Sequence, residues 1–107
     1  MTKAVAALGD SFSDGDTVDT GSGDVFINNK PCARLSDMTM GHQPPGHTLY
    51  PPAPIISGSG SVFVNNKPIA RLGDAHEVHT DPPHGDPPAT HPHDGVISTA
   101  SGDVFSG

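Results

Sequence analysis

A repeated unit constrains the fold of this chain more than any other feature. GSGDVFINNKPCARLSD, Gly21 to Asp37, matches GSGSVFVNNKPIARLGD, Gly58 to Asp74, without a gap. Such self-similarity implies one supersecondary unit used repeatedly, each copy covering what its neighbour leaves exposed. Each copy predicts a β-hairpin. Val-Phe-Ile or Val-Phe-Val supplies one strand, Asn-Asn-Lys-Pro the turn, and Ala-Arg-Leu the return strand. Asn accepts the positive φ of a tight turn, and Pro blocks extra pairing at the turn's edge.

A third copy is divided between the chain ends. Read from end to start, SGDVF–SG–TKAVAALGD follows SGDVFINNKPCARLSD, with Phe105 opposite Phe26, Lys3 opposite Lys30, Leu8 opposite Leu35 and Asp10 opposite Asp37. The termini are therefore expected to pair as neighbouring strands. This predicts a single all-β domain, 1–107, of three hairpin repeats about a pseudo-threefold axis, with no sheet edge left open. The same register sets Cys32 opposite Val5 and Ile69, where a free thiol packs as a small hydrophobe. A reactive or metal-binding thiol is the alternative.

Only 33% of the 107 residues are apolar, Trp is absent, and there are 13 Gly and 12 Pro. So small and polar a domain needs a metal, disulfides or a partner to hold it. With one Cys there is no internal disulfide. A net charge of −7 argues against nucleic acid as a partner. No segment is long enough to span a bilayer. MTKAVAALGD lacks the charged and apolar regions of a signal peptide, so export would need other machinery.

Three loops run between the hairpins, opened by Asp10, Asp37 and Asp74, and they hold all seven histidines. His42 and His79 stand at the same offset from their Asp, as do His47 and His84. His93 is placed from the other side: HDGVISTASGDVF aligns with DGDTVDTGSGDVF, setting His93 opposite Asp14. Threefold geometry brings equivalent loop positions together near the axis, where imidazoles and a carboxylate suit a closed site for Zn²⁺. The expected ligands of one structural ion are His42, His79 and His93 with Asp14 as the fourth. His84, His47 and His91 are the substitutes, and His76 ranks last. Solvated loop histidines are the plain alternative.

The units Pro31-Cys32-Ala33-Arg34 and Pro68-Ile69-Ala70-Arg71, each preceded by SG-x-VF, resemble the PAAR-repeat family, and the likeness extends over the whole chain. The resemblance implies a cone whose long Pro-rich loops form a metal-bound apex, and a role as the tip of the spike of a contractile injection machine, type VI secretion system or phage tail. Family members hold zinc with three His and one Cys. The family's Cys position falls at Asp14, a departure that makes iron conceivable as well as zinc. The implied partner is a trimeric β-helical spike, one cap per trimer, with transient contact to the target cell envelope. It implies no nucleic acid, no small-molecule substrate and no homo-oligomer. Phe26, Phe63 and Phe105 are the candidate spike contacts; core packing is the competing role for them. The protein is then expected at a virion tail tip, or secreted through the machine after synthesis in the bacterial cytoplasm. A small zinc-dependent hydrolase is the rival reading, but no nucleophile motif accompanies the histidines. An adaptor carrying a separate effector is another; since the chain ends inside its last repeat, no fused toxin is expected.

Overall fold

Asn28 and Asn29 have φ of 51° and 68°, and Asn65 and Asn66 of 53° and 66°. Two successive left-handed residues make the tight turn whose twist matches flanking antiparallel strands. The computed structural model, which describes residues 2–43, 49–80, 92 and 94–107, shows the hairpins that follow. Strand β2 (Phe26–Ile27) pairs with β3 (Lys30–Pro31), and β4 (Phe63–Val64) with β5 (Lys67–Pro68). The turn is thus Asn-Asn alone. Lys-Pro already belongs to the return strand, paired across the hairpin, and the Pro31 and Pro68 carbonyls accept from the neighbouring repeat. The chain ends supply a third pair, β1 (Lys3–Ala4) against β6 (Phe105–Ser106), with Ala4 opposite Phe105 as Pro31 is opposite Phe26.

Beyond the hairpins the return strands close on one another around an axis. The Ala6 N–H donates to Ala70 O, Ala70 N–H to Ala33 O, and Ala33 N–H to Ala6 O, each at 3.0 Å. All three alanines are fully buried. A small side chain is required there because three backbones converge. A second cycle runs outside the first. Leu8, Leu35 and Leu72 N–H donate to Pro31, Pro68 and Ala4 O, each at 2.8 Å. These six bonds satisfy polar groups that burial would otherwise leave costly.

The loops form a further tier, linked by bridges Val18↔Thr39, Met38↔Pro54, Ile55↔His76, Ala75↔Val96 and Phe12↔Ile97. Ser11↔Thr17 completes the circuit. The core divides accordingly. Val5, Cys32 and Ile69 pack with Val64 near the hairpins, while Phe12, Val18, Ile55 and Ile97 pack with the axial alanines beneath the loops. Each loop-opening Asp fastens the two levels. Asp10, Asp37 and Asp74 accept from the backbone N–H of Ala7, Arg34 and Arg71, and from the hydroxyls of Thr99, Thr20 and Ser57.

The molecule extends 46 × 24 × 23 Å. Among the described residues there is no helix long and apolar enough to cross a membrane. At the hairpin end Phe26, Phe63 and Phe105 are 53%, 55% and 56% exposed. Core packing is therefore not their role.

Candidate metal centre

The position two residues after each loop-opening Asp points inward: Phe12, Thr39 and His76 are all buried. His76 thus enters the interior by the alternation of its strand, and its ring packs edge-on against Phe12 with centroids 4.9 Å apart. Three residues on, His79 is buried too. His42, at the matching place in the preceding loop, lies with its ring centroid 5.1 Å from that of His79. The bridge His42↔Tyr50 and the buried Tyr50 ring hold this pair in place.

The first loop brings two carboxylates to the same region. Asp14 accepts the Asp16 N–H at Oδ1 (3.1 Å), and its Oδ2 lies 2.7 Å from His76 Nε2 and 3.5 Å from His79 Nε2. Gly95 makes this position possible, since a Cβ there would sit 2.7 Å from the Asp14 carboxyl carbon. Asp16 accepts the Thr17 and Gly41 N–H groups at Oδ1. Its Oδ2 is buried, 3.6 Å from His42 Nδ1, and receives no hydrogen bond. Burial pushes the Asp14 carboxyl upward, but the Asp16 N–H, the His76 bond and the nearby His76 and His42 charges hold it below the usual range.

Two overlapping sets of donors result, Asp14–His76–His79 and Asp16–His42–His79, each with ligand atoms within 4.8 Å of one another. The ring orientations suit a cation. His79 Nδ1 lies 2.8 Å from Pro51 O, and His76 Nδ1 lies 2.7 Å from Glu77 O. A carbonyl on Nδ1 fixes the proton there and turns the Nε2 lone pair towards the cluster, the usual outer support of a metal-bound imidazole. Together with the orphaned Asp16 oxygen, these contacts fit a metal ion. The donors are imidazole and carboxylate. Cys32 lies in the lower core tier with Val5 and Ile69 and belongs to neither set.

Of the residues expected from sequence, Asp14 falls in one set and His42 in the other, and His79 is common to both. His93, His84, His47 and His91 lie outside the described residues. His76 and Asp16 are the additions. The signal for His76 was its register with the inward-facing Phe12 and Thr39. Asp16 carried no comparable mark, because its burial depends on the Gly41 turn of another loop.

A search of curated proteins gives no significant match. The family model described as PAAR motif matches residues 8–78, which takes in both uninterrupted repeats and the donors Asp14, Asp16, His42 and His76. The chain belongs to the PAAR-motif family, whose motif is associated with the spike-tip proteins of contractile injection systems.

Proposed function

We propose that this protein caps the central spike of a contractile injection machine, its hairpin end seated on a trimeric β-helical spike and its loop end leading into the target envelope. The observation that carries this reading is the near-equal exposure of Phe26, Phe63 and Phe105 at one register of three hairpins. Three equivalent apolar contacts from a single chain answer three identical strand ends, which is the symmetry match that one cap on one trimer requires. The return strands are already bonded to one another around the axis, so the cap would not offer them as new edges for pairing. The protein would act within a virion tail tip or be carried out through a secretion machine, as a mechanical part and not as a catalyst.

One structural ion, zinc or iron, would be held by donors from the set Asp14, Asp16, His42, His76 and His79, with His93 as a further candidate. It would tie all three loops together, since Asp14 and Asp16 come from the first, His42 from the second and His76 and His79 from the third. Its binding free energy would add directly to the stability of the loop end.

The test is capture by the spike protein of the same machine. The wild-type cap should bind, and Phe26→Ser/Phe63→Ser/Phe105→Ser should lose binding while keeping its fold and its metal. Undiminished binding by the triple variant would place the contact elsewhere.

A further inference from the structure

One side-chain pairing present in two of the repeats is missing from the third. Arg34 and Arg71 each grip their own loop-opening Asp with two bonds. Arg34 Nε and Nη2 donate to Asp37 Oδ2 and Oδ1 at 2.9 and 3.0 Å, and Arg71 Nε and Nη2 donate to Asp74 Oδ2 and Oδ1 at 3.0 and 3.1 Å. The remaining Nη1 reaches the turn of the next hairpin: Arg34 donates to Asn65 Oδ1 and Arg71 to Gly107 O, each at 3.0 Å. In the split repeat the same register holds Ala7. Asp10 keeps its equivalent bonds to Ala7 N–H and Thr99 Oγ1, but among the described residues no arginine or lysine pairs with it.

A cavity of about 190 Å³ lies where that side chain would be, lined by Ala7, Asp10, Asn28, Lys30, Ala100 and Ser101 among others. This is well above the roughly 10–15 Å³ that a single water needs on the same measure. Its walls repeat those of a filled copy. Asn28 donates to Ser101 and Asp103 as Asn65 donates to Asp24, so the turn oxygen that meets Arg34 in one copy has a counterpart beside this opening. Lys30 stands at the register of Lys67, which belongs to the hairpin whose Asn65 meets Arg34, so a lysine at this place is compatible with a bound guanidinium.

We propose that this cavity is a binding site for a guanidinium group, supplied by an arginine side chain of a partner protein. Asp10 would take the planar fork with two parallel bonds, as Asp37 and Asp74 do, and Asn28 would take the third, as Asn65 does for Arg34. Planar two-point pairing favours arginine over lysine, whose ammonium is a point charge. The cavity adjoins Ile27, next to Phe26, so a protein seated on the hairpin end would pass over it. That last step rests on the spike reading; the chemistry of the cavity does not.

Titration with Nα-acetyl-arginine amide, followed by backbone amide NMR, tests the site without any spike protein. Saturable shifts are expected at Ala7, Asp10, Asn28 and Ser101, and at least tenfold weaker binding for Nα-acetyl-lysine amide. Asp10→Asn should abolish the response. Ala7→Arg should fill the cavity, abolish binding and raise the thermal midpoint, which keeps the test decisive if Asp10→Asn does not fold. No saturable shift, an equal response to the lysine compound, or binding that survives Ala7→Arg would overturn the proposal.

Discussion

His76 Nε2 lies 2.7 Å from Asp14 Oδ2 while the other nitrogen of the same ring lies 2.7 Å from the Glu77 carbonyl. Both partners are acceptors, and a neutral imidazole has one proton to give. A cation shared by His76 Nε2 and the Asp14 carboxylate would remove that mismatch, and the donors gathered here could hold a metal ion in that role. A metal is therefore expected to stabilise the fold. Removing it with a chelator should cost about 3–4 kcal/mol at metal concentrations of 100–1,000 times Kd. His76→Ala should weaken metal affinity by ~10–100-fold or more. Gly95→Ala should also weaken it by displacing Asp14, whereas Gly60→Ala, with open space around its Cβ, should not. Metal analysis and calorimetry measure all of these.

Cys32 should be chemically silent in the folded protein. Burial pushes its thiol up to about 11, and no solvent reaches it. Thiolate is the reactive form, so modification must wait for unfolding. The rate of labelling by a thiol reagent should follow the unfolding rate as denaturant rises.

The axial alanines and the exposed phenylalanines should respond oppositely to mutation. Ala33 is fully buried where three backbones meet, so Ala33→Val should cost about 1–3 kcal/mol by overpacking. Phe63→Ser, at an exposed position, should change stability by no more than about 0.5 kcal/mol. Denaturant titration separates the two.

Acid should loosen the junctions between hairpins. Bonds from Asn65 and Ser22 hold Asp24 below the usual carboxylate range, and bonds from Asn28 and Ser101 do the same for Asp103. A folded-state value below the unfolded one gives stability that is present above about pH 4 and lost as pH falls through the folded value. Asp24→Asn/Asp103→Asn should show a flatter loss of stability below pH 4 than the wild type.

The hairpins were legible because the repeat is written twice in full and because Asn-Asn has few other uses. The split third copy was legible for the same reason, and the pairing Ala4↔Phe105 follows its register. Register marks His42 and His79 as a pair, and their rings do stand side by side. Loop offset ranks His76 last, whereas alternation along the strand decides which way its side chain faces and buries it. Asp16 and the Ala7 cavity were not legible. The first is buried by a turn in a distant loop, and the second is defined by what the other two repeats place at that position.

The most direct test of the account is native mass spectrometry of the cap bound to its spike. The predicted mass is one cap on three spike chains, with one metal ion retained by the cap. Three caps on a trimer, or a cap that forms no complex while fully folded and metal-loaded, would contradict it.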